Sequence, residues 1–459
     1  MAAQSPSITA RERHRPRLVL IASRDLFEPG IPTVCALMTR ATWLCRFYQV
    51  HLVSLNTTKA APACAPVPFA SLTLVPPATL LRMVVNCARA RLAGQPMQEC
   101  FHGNRVARER VGQLLDWLMP DVIMLDTFRA LAFLPARWRG RGAQILDLHD
   151  LLSERYRRFL ESRTSANFYG KALESHWAPW SAVANWLARP ILSHEARALA
   201  RREAIAPSQF RAVTLCSPQE AEALRRRTGA SNIRAIRQML AELDLEQPVA
   251  PPDFAAHSAY FVGIHRYPPN LAALRLLLDE ILPEIARHHP DFVLHVVGNG
   301  LPPELAHAHA RNPNLRFEGF VADLKQHLRA IPLLIAPFVS GSGIKTKVVE
   351  AMAWGKAVVS NEIGFEGLEP RPDHEAFLAG DSASFASATL RALAHPKRTA
   401  AIAARGCAMV REMYNCERLL AQWHDLIETA RLPPSTQPSP QAASPSSRPG
   451  WGRNTNMLA

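Results

Sequence analysis

The sequence predicts an α/β protein with two domains, each built on a parallel sheet. Its 459 residues are too many for one hydrophobic core, and they fit two domains of roughly 200 residues each. Short apolar runs of the kind that form buried parallel strands recur along the chain. Residues 332–360 also follow the order strand, glycine loop, helix, strand.

Composition divides the chain into five segments. Residues 1–16 are polar and basic, and we expect a disordered arm there. Residues 432–459 are rich in Pro and Ser without periodicity, and we expect a disordered tail. A Pro-rich linker (246–257) separates an N-terminal domain (17–245) from a C-terminal domain (258–431).

Apolar runs in the N-terminal domain predict a series of buried strands with helices between them. A loop that contains Gly30 follows the first strand and leads into a helix. The strands are expected at 17–22, 49–55, 121–125, 144–148 and 213–217, and the helix at about 33–46.

The C-terminal domain carries the most informative segment. After the apolar run 332–338, a turn of Gly341, Ser342 and Gly343 leads into a helical pattern that ends at Gly355. The unpaired N–H groups at the start of such a helix, and the positive end of its dipole, suit a phosphate. A strand–loop–helix unit presents these groups at the carboxyl edge of the sheet, where ligands bind.

The same segment concentrates lysines. The chain has seven lysines, and Lys345, Lys347 and Lys356 are three of them. Glu350 lies one helical turn after Lys347, so both side chains are on one face. A phosphate site with a carboxylate beside it is one interpretation, and a surface ion pair next to an ordinary turn is the other.

Residues 350–359, Glu-Ala-Met-Ala-Trp-Gly-Lys-Ala-Val-Val, resemble the donor-site motif of the group 1 (family 4) retaining glycosyltransferases. Residues 260–271, 293–298 and 317–323 are similar to further motifs of that family and occur in its order. The family has the GT-B fold, in which two Rossmann-like domains face each other across a cleft. The resemblance implies this fold and the transfer of a sugar from a nucleotide sugar, with retention and no obvious protein nucleophile.

The resemblance also implies which residues bind the donor. Glu350 matches the glutamate that accepts hydrogen bonds from the ribose, which suits an ionised carboxylate. The diphosphate would lie against the glycine turn and the lysines. The implied donor-binding residues are Glu350, Lys345, Lys347, Gly341, Ser342, Gly343, Arg266 and Gly30.

Two positions depart from the family pattern. Ser342 stands where the family usually has a second glutamate, eight residues before Glu350, so the resemblance does not imply which sugar is transferred. Residues 260–271 resemble the strand and loop that open the family's second domain, and Arg266, within His-Arg-Tyr-Pro-Pro, replaces the Arg and Lys that usually follow that strand.

The strand at 144–148 ends in Asp147-Leu-His-Asp150. An imidazole with a neighbouring carboxylate can hold or move a proton, and ligands of open α/β sheets bind at this edge. The family often has a His-Asp pair here, so the resemblance implies catalytic roles for His149 and Asp150. A structural histidine near the start of the following helix is the alternative.

The motifs predict no metal and no redox cofactor. The sequence has no Asp-x-Asp triplet, and Pro302 and Pro303 follow Gly298-Asn-Gly300 where an NAD fingerprint needs a third glycine and a helix. The eight cysteines form no Cys-x-x-Cys pair, which argues against a zinc site. We expect a metal-independent protein whose only co-substrate is the nucleotide sugar.

The formal charge of +14 comes mainly from arginines spread along the whole chain. No basic stripe with interleaved aromatics is present, so we do not expect nucleic-acid binding. Residues 80–92 have the pattern of a basic amphipathic helix, which either lies on an anionic membrane surface or packs on its own domain. Without a run of about 18 apolar residues, we expect a cytoplasmic protein, with peripheral attachment to the inner membrane face as a further option.

These observations predict a glycosyltransferase that moves a sugar from a nucleotide sugar to a glycan or lipid-linked acceptor, in cell-surface polysaccharide or glycolipid synthesis. A sugar-nucleotide epimerase of the same fold is one alternative. A non-catalytic GT-B partner subunit is another, because of the departures at Ser342 and Arg266.

Overall fold

The computed structural model describes residues 15–26, 32–57, 69–161, 181–240, 252–341 and 343–433. Within these residues thirteen strands form two sheets, and every pairing between them is parallel. The predicted donor residues Gly30 and Ser342 lie outside the described residues. So do nearly all of the predicted arm and tail and the first half of the predicted linker.

The first sheet has seven strands. In chain order they are β1 (Arg17–Ala22), β2 (Gln49–Leu55), β3 (Ser71–Val75), β4 (Val122–Asp126), β5 (Ala143–His149), β6 (Ala212–Leu215) and β7 (Ile233–Ala235). Across the sheet the order is β3-β2-β1-β4-β5-β6-β7. The strand order therefore reverses between β1 and β4, which is the place where ligands bind in open parallel sheets.

Helices cover both faces of this sheet. They are α1 (Pro32–Leu44), α2 (Leu80–Leu92), α3 (Met97–Cys100), α4 (Arg105–Leu118), α5 (Thr127–Leu131), α6 (Leu152–Glu161), α7 (Ser181–Gln209) and α8 (Pro218–Thr228). A short 3₁₀ turn, Ala136–Trp138, precedes β5.

The second sheet has six strands. They are β8 (Ser258–Val262), β9 (Val293–Val297), β10 (Leu315–Gly319), β11 (Leu333–Ala336), β12 (Ala357–Ser360) and β13 (Phe377–Leu378), in the spatial order β10-β9-β8-β11-β12-β13. Its order reverses between β8 and β11, so each domain has its own ligand-binding edge.

The helices of this half follow in chain order. They are α9 (Pro268–Leu276), α10 (Leu282–His288), α11 (Pro303–Ala308), α12 (Leu324–His327), α13 (Thr346–Ala353), α14 (Ser382–Ala394), α15 (Pro396–Met413) and α16 (Cys416–Arg431). One π-helical turn, Leu277–Ile281, joins α9 to α10.

The unbroken apolar runs of the sequence are buried on both faces of the sheets. In β1, Val19 and Ile21 pack into one hydrophobic cluster and Leu18 and Leu20 into another on the opposite face. A strand that is covered on both sides has no solvent-exposed face, so its sequence does not alternate between apolar and polar residues.

Helix α16 returns to the first domain. Leu419, Trp423 and Ile427 are buried in the same cluster as Leu18 and Leu20 of β1. The sequence places residues 416–431 at the end of the C-terminal domain, whereas in the structure their apolar face packs on the N-terminal sheet.

Two edge strands and one long helix were missed by the sequence interpretation. From the sequence, the last strand of the first domain was expected at 213–217. These residues form β6, and β7 follows as the last strand. Four of the five residues of β3 are only half-buried, and β7 has three residues, so neither has a strong apolar pattern. Helix α7 contains two prolines, which weaken a helical prediction.

The predicted amphipathic helix forms as α2, and Ala90 is its one buried residue. Leu80, Leu81 and Leu92 are 80%, 77% and 90% exposed. In the part of the chain that the structure describes, no helix combines the length and the apolar character needed to cross a membrane.

Candidate functional site

The carboxyl ends of the two sheets face each other across a cleft. A cavity of about 270 Å³ lies there, lined on one side by residues that follow β1, β4, β5 and β6. Gly343, Ile344 and Thr346, between β11 and α13, line the other side. This is the interdomain cleft that the sequence predicts.

The glycine turn of the second domain has the backbone that its residues require. Gly341 and Gly343 have φ values of 140° and 68°, in the region that residues with a Cβ rarely adopt. A Cβ on Gly343 would lie 3.7 Å from Cβ of Asp150 in the first domain. Helix α13 begins at Thr346, so its first N–H groups lie at the cleft.

Lys347 lies in the first turn of α13, and its side chain binds residues of β8 and α9. Its Nζ donates to the carbonyl oxygen of Val262 at 2.7 Å and to Oδ1 of Asn270 at 3.0 Å. A Cβ on Gly263 would lie 2.9 Å from Nζ, so the glycine leaves room for the ammonium. Burial lowers the pKa of Lys347 to about 8, although the charge of Glu350 opposes the shift.

Lys345 takes part in a bridge between the domains. Its Nζ donates to the Gly343 carbonyl oxygen at 2.5 Å and lies 3.1 Å from Oε2 of Glu366. Arg158 of α6 binds Oε1 of Glu366 at 2.8 Å and donates to the Gly341 carbonyl at 3.1 Å. Glu366 therefore holds one cation from each domain beside the glycine turn.

Glu350 and Arg266 lie near this turn but do not line the cavity. Glu350 is half-buried, and its charge acts on both Lys347 and Tyr260. Arg266 is exposed and lies against Gly300, where a Cβ would come within 2.5 Å of its Cγ. Both are at the carboxyl edge of the second sheet.

His149 is the last residue of β5, and its backbone conformation is unusual. Its φ is 64°, which is rare for a residue with a side chain. Nε2 donates to Oδ1 of Asp126 at 2.5 Å and lies 3.7 Å from Oδ2 of Asp147. Nδ1 lies 4.0 Å from Sγ of Cys216. Arg40 in turn binds Asp147 through a buried salt bridge.

This cluster keeps His149 charged. Burial alone would lower the pKa of the imidazole, but the carboxylates of Asp147 and Asp126 outweigh it, and the pKa lies well above its ordinary value. Burial likewise opposes ionisation of Asp126, but His149 and two hydrogen bonds from Ser23 outweigh it, and its pKa lies well below the ordinary value. The sequence predicts a residue that holds or moves a proton, and the geometry favours holding it.

Asp150 and Glu220 have different surroundings in the same cavity. Asp150 forms a salt bridge with Arg155. Glu220 is 5% exposed, and its Oε2 has no hydrogen-bond partner among the described residues. Burial, together with the charges of Asp150 and Glu366, raises the pKa of Glu220 to about 8. Glu220 is therefore a mostly uncharged acid in the cleft.

Lys356, the third lysine of the segment that contains Lys345 and Lys347, lies away from this cleft. Its buried Nζ donates to the carbonyl oxygens of Leu328 and Arg329, both at 2.7 Å, so it holds the start of β12 in place. Sequence reasoning missed Asp126, Glu220 and Glu366. Asp126 had a signal, because a carboxylate that ends a buried strand lies at the ligand-binding edge.

One group of metal-ligating side chains occurs in the described residues, and it lies away from the cleft. His257, His289 and Asp291 are close together where β8 and β9 begin, at the opposite edge of the second sheet. Metal independence stays a prediction.

Comparison with known proteins finds a family model that matches the second domain. Residues 256–395 match the family model "Glycosyl transferases group 1". An uncharacterized 44.6 kDa protein in the cps region of Klebsiella pneumoniae is 26% identical over 168 residues. That alignment spans 35% of this chain and 43% of the relative, so it covers less than half of each protein.

The whole chain is similar to two-domain structures. HepE of Anabaena, solved in complex with UDP, matches with a TM-score of 0.57 and 17% identity over 90% of this chain and all of HepE. Sucrose-phosphate synthase of Thermosynechococcus elongatus matches with a TM-score of 0.59 and 16% identity, over 90% of this chain and 98% of that one. The chain thus has the GT-B fold that the sequence predicts, and within it residues 256–395 match the model of the group 1 glycosyl transferases.

Proposed function

We propose that the protein is a glycosyltransferase that moves a sugar from a nucleotide sugar to a glycan or lipid-linked acceptor. The observation that carries the proposal is that one cavity is lined by both domains. The glycine turn and the first turn of α13 lie on one side of it, and His149 and Asp150 lie on the other. A site with phosphate-binding amides on one wall and a charged imidazole on the other suits transfer from a diphosphate leaving group.

The donor diphosphate would lie against the amides of Gly341 to Gly343, with Lys345 and Lys347 as counter-charges. As the bond to the sugar breaks, negative charge grows on the phosphate oxygens. Amides and ammonium groups that are already positioned stabilise that charge more in the transition state than in the ground state. Glu366 forms salt bridges with Lys345 and Arg158, so the diphosphate would compete with this carboxylate.

Glu350 would bind the ribose, because an ionised carboxylate accepts hydrogen bonds from two hydroxyls. HepE in complex with UDP supports a uridine nucleotide as the first donor to test. Retention of configuration and membership of family 4 are part of the proposal through the motif at residues 350–359.

The relative encoded in a cps region supports a role in cell-surface polysaccharide synthesis. The exposed leucines of α2, next to Arg82, Arg89 and Arg91, support attachment to an anionic membrane surface. A lipid-linked acceptor would be reached from such a position.

The test is to incubate the protein with a panel of UDP-sugars and acceptor glycans and to measure UDP release and the new linkage by NMR. We expect acceptor-dependent UDP release and a product with the anomeric configuration of the donor. Conversion of the donor sugar into an epimer without acceptor would identify the epimerase instead. Binding of UDP without turnover of any donor would favour the partner-subunit alternative.

A further inference from the structure

Three arginines line the first-domain side of the cavity: Arg24, Arg129 and Arg155, here called the arginine cluster. Arg24 follows β1, Arg129 lies in α5 directly after β4, and Arg155 lies in the first turn of α6 after β5. Since β1, β4 and β5 are neighbours in the sheet, their carboxyl ends bring the three guanidinium groups to one place.

Two of these charges have no salt-bridge partner among the described residues. Arg155 is paired with Asp150, whereas neither Arg24 nor Arg129 forms a salt bridge with a carboxylate of the described residues. Arg129 donates from Nε to Oε1 of Gln98 at 2.7 Å, a neutral acceptor. Burial and then the charge of Arg24 lower the pKa of Arg129, although the charge of Asp126 opposes the shift, so the two cations are close enough to repel each other.

The acids of the same cavity do not offset this charge. Asp126 is compensated by His149 and Asp150 by Arg155. Glu220 is mostly uncharged at neutral pH, because its pKa is about 8. Counted over the described residues, the first-domain wall therefore carries an excess of about two positive charges, which the folded protein keeps at some cost.

We propose that the arginine cluster binds a phosphate group of the acceptor substrate. A phosphate monoester or diphosphate end carries a charge of about −1.5 to −2, which matches two uncompensated guanidinium groups better than a single carboxylate would. The planar fork of arginine also fits phosphate oxygens in a bidentate manner.

This inference rests on the proposed function, which assigns the donor diphosphate to the second domain. The acceptor then approaches from the first domain, with its phosphate on the arginine cluster and its hydroxyl near His149. A lipid-linked diphosphate glycan and a soluble phosphorylated glycan both offer this group.

The first test uses inorganic pyrophosphate, titrated calorimetrically into protein that is saturated with UDP. Arg24→Ala and Arg129→Lys should each weaken pyrophosphate binding about tenfold or more, the scale for a lost charge-assisted contact. Both variants should bind UDP as the wild type does. Arg139→Ala is the matched control, since Arg139 is exposed outside the cavity and its loss removes the same charge.

The outcomes separate this inference from the proposed function. Weaker UDP binding by Arg24→Ala would assign the arginines to the donor and overturn the inference, with the donor site intact. No pyrophosphate binding to UDP-saturated protein would overturn it as well. Failure of the wild type to bind UDP would instead contradict the proposed function. In that case the cluster is tested on free protein, where equal pyrophosphate affinity of Arg24→Ala and Arg139→Ala overturns the inference.

Acceptor assays then identify the source of the phosphate. A lipid-linked diphosphate glycan, a soluble glycan phosphate and the same glycan without phosphate are compared at fixed UDP-sugar. We expect Arg24→Ala to raise KM about tenfold for the phosphorylated acceptor that is used, and to leave the phosphate-free glycan unaffected. An equal change in KM for phosphorylated and unphosphorylated acceptors would contradict phosphate recognition.

Discussion

Nε2 of His149 donates a hydrogen bond to Oδ1 of Asp126 at 2.5 Å, and this contact fixes the ring in the wall of the cleft. The two residues end the adjacent strands β5 and β4, and Thr127, next to Asp126, shares the positive φ of His149. Such strain persists only where surrounding contacts enforce it, and it is common at functional sites. We infer that the imidazolium is held in place before any substrate arrives.

The first prediction concerns this pair. His149→Ala should lower turnover about 10²-fold or more, the usual scale for removing a preorganised group that stabilises charge in the transition state, with little change in UDP affinity. Asp126→Asn should lower the pKa of His149, because one of its two carboxylates is lost. The imidazole of this variant would then lose its proton nearer to neutral pH, and its kcat should fall more steeply from pH 6 to pH 8 than that of the wild type, in which Glu220 and Lys347 have pKa values of about 8.

The measurement is kcat of folded protein across this pH range. A His149→Ala variant that melts early but turns over normally per folded molecule would show that the histidine is structural. Equal pH profiles for Asp126→Asn and the wild type would contradict the role of the carboxylate.

The second prediction concerns the uncharged acid. The pKa of Glu220 is raised to about 8 from an ordinary 4.5, so between these values the folded protein binds more protons than the unfolded chain. The stability that Glu220 contributes should therefore fall as pH rises through this window and level off above about pH 8. Glu220→Gln should gain stability relative to the wild type from pH 5 to pH 8, as measured by urea unfolding.

Glu222→Gln is the control, because Glu222 lies on the same helix but is exposed to solvent. A constant difference between Glu220→Gln and the wild type at all pH values would show that Glu220 is ionised throughout.

The third prediction concerns α16. Trp423 is 2% exposed on the first sheet, and the guanidinium of Arg40 lies 4.4 Å from its ring centroid. Trp423→Ala should cost about 3–5 kcal/mol of stability, as is usual for a large buried aromatic.

Truncation after residue 433, which keeps α16, should leave the melting temperature and UDP binding unchanged. A large loss of stability from that truncation would contradict the predicted disordered tail.

The fourth prediction concerns α2. The protein should co-sediment with vesicles that contain phosphatidylglycerol and not with pure phosphatidylcholine, more weakly at high salt. Replacing the exposed Leu80 and Leu81 with Asp should abolish binding without loss of stability, because neither is buried. Equal recovery on both vesicle types would remove the membrane proposal.

The sequence was informative where a strand is buried on both faces or a turn needs glycine. Few residue types are tolerated in a strand that is buried on both faces or in a turn with positive φ. The strands β1, β8 and β11 and the turn at Gly341 and Gly343 are of these two kinds, and each was predicted. Edge strands β3 and β7 lack such a requirement. The packing of α16 on the first sheet depends on the path of the whole chain, which local pattern does not encode.

In the site, too, some residues were predicted from the sequence and others were not. Motif positions identified His149, Asp150 and the α13 residues, but not their partners. The pairing of His149 with Asp126 links residues 23 positions apart, and the bridge from Glu366 to Arg158 crosses two domains. Such contacts follow from strand order and domain approach, so one sequence does not reveal them.

The final measurement is calorimetric titration of uridine, UMP and UDP into the wild type, Glu350→Gln and Lys347→Ala. Lys356→Ala is the control, because it removes another buried lysine, one that lies outside the donor site. Loss of the ionised acceptor in Glu350→Gln should weaken all three ligands by about 1–3 kcal/mol. Lys347→Ala should spare uridine and weaken UDP more than UMP, while Lys356→Ala should lower stability and leave all three affinities unchanged. If Glu350→Gln and Lys347→Ala stay folded and bind all three ligands as the wild type does, α13 is not the donor site and the glycosyltransferase account is contradicted.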